Sequence, residues 1–253
     1  MQNDPQKHRL PPFTRNGIIL VNKPSGWTSH DVVAFMRARF NIPKAGHCGT
    51  LDPAATGLLV IVIGKFTKLS QKFSCEDKIY GGTILLGTET DSQDMDGAVI
   101  RTADYSGVTE ERLRAAFAKF TGEIMQTPPM VSAVKKDGER LYKLARKGVE
   151  VEREAKPVTV YSVDLANFNP PYADFVVRCS KGTYIRTLCA DVGAELGCGA
   201  ALYRLNRIQS GEFELKDAYD VEEMKEWSQN DLADRMDDYL HRKLAKMVRF
   251  TAF

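Results

Sequence analysis

Apolar residues along this chain fall into short runs and helical stripes that follow one another without a fixed period. Gly17 to Asn22 is an almost wholly apolar run closed by the turn Lys23-Pro24-Ser25-Gly26, which predicts a short buried strand. Val32, Val33, Met36 and Phe40 recur at helical spacing behind Ser29, a helix-capping residue type, and Pro43 stops that helix. Leu58 to Ile63 and Lys78 to Leu86 read as further strands. Thr109 caps a predicted helix with an acidic first turn and with Leu113, Phe117 and Phe120 on one face. Between Gly122 and Pro157 the pattern weakens. Gln126-Thr127-Pro128-Pro129 breaks regular structure, and a charged stretch carries a short amphipathic turn around Leu141, Leu144 and Ala145, stopped by Gly148. Val158 to Phe168 and Ala173 to Cys179 read as strands. Ser180-Lys181-Gly182-Thr183 then leads into a helix whose stripe is Ile185, Leu188, Cys189, Val192 and Leu196. A last strand covers Leu205 to Phe213, after which the chain is acidic and, from Arg242, basic. Strands and helices interleave without regular βαβ alternation. The expected class is therefore α+β, a mixed, mainly antiparallel sheet flanked by helices.

Composition narrows the picture mostly by exclusion. A chain of 253 residues buries one sizeable core, or a core with a modest appendage. Its net charge of +2 neither demands nor excludes nucleic acid, because local distribution outweighs the sum. No apolar run approaches a membrane span, and Met1 to Pro12 is polar without a signal-peptide core, so a cytoplasmic protein with no membrane partner is expected. The five cysteines are scattered and form no C-x-x-C pair, and the four histidines share no ligand spacing. Asp91 to Gly97 resembles a calcium loop, but the position where the bidentate Glu belongs is Ala103, so the segment reads as an acidic turn. Metal chemistry has no support, and neither a P-loop nor a dinucleotide fingerprint is present.

The segment Gly46-His47-Cys48-Gly49-Thr50-Leu51-Asp52-Pro53-Ala54-Ala55-Thr56-Gly57 carries the clearest chemistry. It sets one carboxylate in a Gly- and Pro-bounded turn that runs straight into an apolar strand. An Asp-Pro pair alone is an ordinary turn former. A histidine shortly before it, glycines around it and a buried strand after it suit a carboxylate that must meet one substrate atom at a fixed distance.

Four segments, far apart and in order, resemble the TruB family of tRNA pseudouridine synthases over roughly Asn16 to Phe213. They are Val21-Asn22-Lys23-Pro24-Ser25-Gly26-Trp27-Thr28-Ser29; the Asp52 turn; Gln126-Thr127-Pro128-Pro129 with Ser132-Ala133 and Gly138 to Gly148; and Cys179 to Leu188. The resemblance implies the pseudouridine synthase fold and an isomerisation of uridine-55 in the tRNA T loop. The base is detached from the ribose through N1, turned over and rejoined through C5, with no redox change and no cofactor. It implies that Asp52 is the catalytic carboxylate, that Arg186 pairs with it and keeps it ionised, and that Tyr80 stacks on the everted base and manages the C5 proton. His47, Tyr184 and Leu205 match residues that contact the everted nucleotide, although a core role for Leu205 fits its side chain equally well. Whether Asp52 meets a sugar carbon or the base stays open. Cys48 stands where a threonine or serine is expected, and Val131 replaces an aromatic residue before Ser132-Ala133.

The resemblance also divides the chain into a polar tail, residues 1–15; a catalytic domain, 16–215, with a thumb-like RNA-binding segment at 123–157; and a short extension, 216–253, too small for the PUA domain of many bacterial members. Lys135, Lys136, Arg140, Lys143, Arg146 and Lys147 are the candidates for contacts with the RNA backbone, against the alternative of a solvated amphipathic helix. Arg242, Lys243, Lys246 and Arg249 offer a minimal basic end. The expected partner is the tRNA T arm, with no obligatory protein partner. A non-catalytic RNA-binding protein on the same fold is one rival. A glycosidase is another, but it would usually need a second facing carboxylate.

Overall fold

The computed structural model describes residues 10–132, 134–136, 138–141, 144, 148–149 and 151–250. In chain order the elements are β1 (Gly17–Lys23), α1 (Ser29–Arg39), β2 (Ala45–Cys48), β3 (Thr56–Ile63), α2 (Ser70–Ser74), β4 (Lys78–Leu86), β5 (Thr88–Thr90), β6 (Val99–Thr102), α3 (Glu110–Lys119), β7 (Gly122–Gln126), β8 (Lys135–Lys136), β9 (Glu139–Arg140), β10 (Lys156–Asn169), β11 (Tyr172–Cys179), α4 (Ile185–Leu196), β12 (Ala200–Ser210), β13 (Phe213–Glu214), β14 (Tyr219–Asp220), α5 (Val221–Met224) and α6 (Gln229–Phe250). The chain divides into two compact units, Met1–Glu76 with Arg207–Phe253, and Asp77–Asn206. The mixed, mainly antiparallel sheet structure flanked by helices is the α+β class read from the sequence.

In the first unit β3 is the central strand. It pairs antiparallel with β1, from Gly17 opposite Ile63 to Lys23 opposite Gly57, and with β2, from Ala45 opposite Ile63 to Cys48 opposite Val60. β14 lies parallel to β1. Both faces of β1 and β3 are covered, which is why their sequences read as unbroken apolar runs. One face packs Ile19, Val21, Leu59 and Ile61 against Val32, Met36 and Phe40 of α1, Val221 and Met224 of α5, and Leu232 and Met236 of α6. The other packs Ile18, Leu20, Leu58, Val60 and Val62 with Phe213 and Tyr239.

The second unit is an antiparallel meander with β4, β11, β10 and β7 as neighbours. α3 and α4 cover one face, where Phe117 meets Phe175 at 5.6 Å between ring centroids. All five residues of the predicted stripe on α4 are buried. Thr109 caps α3 as expected, accepting from Arg112 N–H.

Several expectations change. α1 is capped by Thr28, not Ser29. The Thr28 hydroxyl accepts from Asp31 N–H and the Asp31 carboxylate accepts from Thr28 N–H, a reciprocal capping box. That frees the Ser29 side chain to turn inward. β7 occupies part of the stretch read as irregular, and β12 begins five residues before the predicted Leu205. The segment after Lys216 is not merely a charged tail. Ser228 and Asp231 form a second capping box, and Leu232, Ala233, Met236 and Tyr239 are buried along α6.

α4 comes close to the backbone that follows it. Gly199 N–H donates to Gly193 O at 2.9 Å, and a Cβ on Gly193 would overlap the main chain of Gly199 and Ala200. Gly193→Ala should therefore destabilise the fold by about 1–3 kcal/mol, in contrast to the usual gain from Gly→Ala within a helix, as read by thermal unfolding.

Candidate active site

The Asp52 turn joins β2 to β3. Gly49 adopts φ +86°, open to glycine at no cost, and Ala55 N–H donates to Asp52 O at 3.1 Å. Backbone groups of Leu51, Pro53 and Ala54 are held from the end of β1 and the start of α1. The buried Ser29 hydroxyl accepts from Leu51 N–H at 2.9 Å and donates to Leu51 O at 3.2 Å. The Lys23 ammonium donates to Pro53 O at 3.0 Å, to Pro24 O at 2.9 Å and to Trp27 O at 2.6 Å. Gly26 N–H also donates to Pro53 O, and the Ser25 hydroxyl to Ala54 O. The residues on both sides of Asp52 are thus tied in place, while Asp52 itself is half-buried.

Lys23 is fully buried. Burial, opposed by the carboxylates of Asp52 and Asp31 and assisted by Arg207, pulls its ammonium down to about 8. Three N–H donors on three carbonyls replace the water such a charge would otherwise hold.

His47 lies on β2, half-buried, with its ring edge-to-face against His30 of α1 at 5.2 Å between centroids. Burial, with His30 and Arg207 adding to it and the Gly49 backbone opposing, lowers its pKa to about 4. The imidazole is therefore neutral at neutral pH, and its buried Nδ1 makes no hydrogen bond. Cys48, beside it, is a buried member of an apolar cluster.

Tyr80, Tyr184, Arg186 and Leu205 belong to the second unit, Asp52 and His47 to the first. Arg186 sits in the first turn of α4 and is buried, not a solvent-facing arginine at a helix start. Its Nη1 donates to Ser92 O at 3.2 Å and its Nη2 to Val131 O at 2.8 Å, and an ion pair of 3.4 Å joins it to Asp94. Asp94 in turn accepts from the Ser92 hydroxyl and from Asp96 N–H. The acidic turn between β5 and β6 is therefore a buried support for Arg186. Thr187 of α4 donates to Gln93 of the same turn at 2.9 Å. Tyr184, the cap residue of α4, is gripped through its backbone by Gln126 at the end of β7. Tyr184 N–H donates to Gln126 Oε1 at 2.9 Å, and Gln126 Nε2 donates to Tyr184 O at 3.3 Å. Tyr80 is a buried residue of β4 opposite Val177, and Leu205 is half-buried on β12.

Lys135, Lys136 and Arg140 lie on the β8–β9 pair, with Lys135 opposite Arg140. Lys143, Arg146 and Lys147 lie outside the described residues. Sequence reasoning left out Lys23, Ser29, Asp94 and Gln126 as functional residues. A lysine after an apolar strand reads as a turn residue, and nothing along the chain separates Asp94 from Asp91 and Asp96.

Asp94→Ala should cost about 3 kcal/mol in unfolding free energy, because it removes a buried ion pair of Arg186 together with the hydrogen bonds that Ser92 and Asp96 make to the same carboxylate. A second outcome follows from His47. Its folded pKa of about 4 lies below the ordinary 6.5, so the unfolded chain takes up the proton first as pH falls. Stability should decline between pH 6.5 and 4 by up to about 1 kcal/mol per pH unit from this group, and His47→Gln should flatten that slope in thermal melts.

Comparison with known proteins gives this geometry its context. The model of the TruB family pseudouridylate synthase N-terminal domain matches residues 37–185, and that of the tRNA pseudouridylate synthase B C-terminal domain matches residues 186–249. The tRNA pseudouridine synthase B of Opitutus terrae is 53% identical over 203 residues, covering 80% of this chain and 84% of that protein. Its counterpart in Syntrophotalea carbinolica is 45% identical over 207 residues, covering 82% and 68%. Among solved structures, a Cbf5-Nop10-Gar1 complex superposes with a TM-score of 0.66 at 30% identity, and an H/ACA RNP bound to a substrate RNA containing 2'-deoxyuridine with 0.63 at 26%. The match covers 83% of this chain but only 54% and 53% of those two, so the chain spans about half their length. By the extent of these matches, the chain belongs to the TruB family of pseudouridylate synthases.

Proposed function

We propose that this chain converts uridine-55 of the tRNA T loop to pseudouridine in the cytoplasm, with Asp52 as the catalytic carboxylate and with Tyr80 and Arg186 completing the catalytic set. The observation that carries the proposal is the immobilised Asp52 turn, in which Lys23, Ser29 and Gly26 hold the backbone on both sides of one half-buried carboxylate. Immobilisation suits a group whose work is attack or proton abstraction at one atom. The family match and relatives named tRNA pseudouridine synthase B support the substrate.

In the proposed reaction the C1'–N1 bond of the uridine breaks and a C1'–C5 bond forms. The proton on C5 leaves and N1 gains one, so the product is an isomer of equal mass. The target base must first leave the loop stack, at a cost of roughly a few kcal/mol, offset by stacking and phosphate contacts. Tyr80 and Tyr184 are aromatic surfaces for such a base, with His47 and Leu205 as further contacts. His47, neutral at the working pH, serves as a hydrogen-bonding and packing group rather than as a cation. Lys135, Lys136, Arg140, Lys143, Arg146 and Lys147 are proposed to hold the RNA backbone of the T arm.

The test is tritium release from an unmodified tRNA transcript labelled at uridine C5, with carbodiimide mapping of the modified position. The native protein should release label and mark position 55, and a transcript with cytidine there should not be marked. Asp52→Asn should abolish release and leave tRNA affinity within about threefold, since it removes the charge the chemistry needs while keeping the size of the side chain. Unchanged turnover in Asp52→Asn would refute the assignment. Release of free uracil would indicate a glycosidase instead.

A further inference from the structure

Arg207 enters neither the sequence reading nor the roles proposed above, yet it is among the largest fully buried side chains of the protein. It lies in the last part of β12, within the first unit. Its Nε donates to Leu58 O at 2.7 Å and its Nη2 to Gly49 O at 3.1 Å. Gly49 follows β2 and Leu58 lies near the start of β3, so the two acceptors stand on either side of the segment that carries Asp52. One planar guanidinium fork therefore bridges the two ends of the Asp52 loop and fixes the distance between them.

Two carbonyls do not by themselves require a cation. A neutral amide would satisfy them without the cost of burying a full charge. The charge also works against its surroundings, since Arg207 lowers the pKa of both Lys23 and His47. Two buried cations on the flanks of one loop repel each other and call for an anion. The loop carries one, Asp52, and its charge is coupled favourably to Lys23. Asp31 is the other carboxylate coupled to Lys23, and it is already engaged in capping α1.

We propose that Arg207 is a positioning residue for the reaction, a guanidinium that sets the span of the Asp52 loop through Gly49 and Leu58 and places a buried positive charge in the wall of that loop. The proposal rests on the reading of Asp52 as the catalytic carboxylate. It differs in kind from the role of Lys23 and Ser29, which hold residues adjacent to Asp52; Arg207 holds the ends of the loop and is the second buried cation.

The experiment compares Arg207→Gln, Arg207→Lys and Asp52→Asn in the full-length protein, by single-turnover tritium release and by filter binding of unmodified tRNA. Arg207→Gln, which keeps a donor and loses the charge, should slow the chemical step about 30-fold while the dissociation constant stays within about threefold. Arg207→Lys, which keeps the charge, should recover about tenfold of that loss. A glutamine variant with a rate within about threefold of the native one overturns the proposal, as does an equal loss in both variants or a loss of affinity that matches the loss of rate. Should Arg207→Gln not fold, Arg207→Lys decides. Retention of most of the rate supports the proposal, and a fall to the level of Asp52→Asn overturns it. An inactive Asp52→Asn beside a fully active Arg207→Gln removes only the role of Arg207, whereas an active Asp52→Asn removes the reading on which it rests.

Discussion

The binding of the Lys23 ammonium to three backbone carbonyls is the interaction on which the rest of the Asp52 site depends. A turn between two strands has backbone donors and acceptors that its own geometry does not satisfy, and buried groups of this kind must find partners. In this protein the partners are side chains from the chain segment that precedes α1. Lys23 draws Pro24 O, Trp27 O and Pro53 O onto one nitrogen, so the turn after β1 and the turn after β2 share a common centre. Ser29 completes the arrangement from the first turn of α1. The order matters. Because Thr28 takes the capping role, the Ser29 hydroxyl is available to Leu51, and the helix start becomes part of the wall of the Asp52 turn.

Among the described residues Lys23, Lys78, Arg186 and Arg207 are buried cations, and peptide oxygens accept from three of them, Lys23, Arg186 and Arg207. Lys23 has three carbonyls, Arg186 has two and the carboxylate of Asp94, and Arg207 has two. Carbonyl dipoles fixed by the fold act as a rigid substitute for hydration, which lowers the cost of removing the charge from water. The same bonds give each cation a structural task, because a loop whose carbonyl oxygen faces a buried charge cannot leave without exposing that charge unsolvated. The interior positive charge is thus spread over both units, with Lys23 and Arg207 in the first and Lys78 and Arg186 in the second.

Much of the fold was legible because its core elements carry one-dimensional signals. β1 and β3 are covered on both faces and read as unbroken apolar runs; α4 buries a stripe at helical spacing; Thr109 announces α3. The elements that escaped did so for identifiable reasons. Thr28 and Ser29 are both capping residue types, and only the Asp31 carboxylate three residues on decides for Thr28. α6 carries Leu232, Met236 and Tyr239 at helical spacing behind Ser228 and Asp231, a pattern hidden by its high charge. β7 is short, with alternating exposure and a glycine at its start. The Asp52 turn stood out because glycines, a proline and a following strand coincide there. What holds it did not, since Lys23, Ser29 and Arg207 act through peptide groups far away in sequence, and a peptide group has no letter of its own. Asp94 was hidden for the same reason, being one of several acidic residues in a turn until Arg186 singles it out.

The bond from Arg186 to Val131 O has a consequence for motion within the second unit. Val131 has an exposed side chain at the beginning of the segment that leads to the basic β8–β9 pair, and its peptide oxygen is a ligand of the buried guanidinium. Since Ser92 O and Asp94 hold the other side of the same planar group, that group cannot rotate freely to follow a departing Val131. A displacement of residues 130–132 must either break the bond or tilt the guanidinium away from Asp94. The outer segment and the interior charge are therefore mechanically geared: the position of one is an input to the orientation of the other.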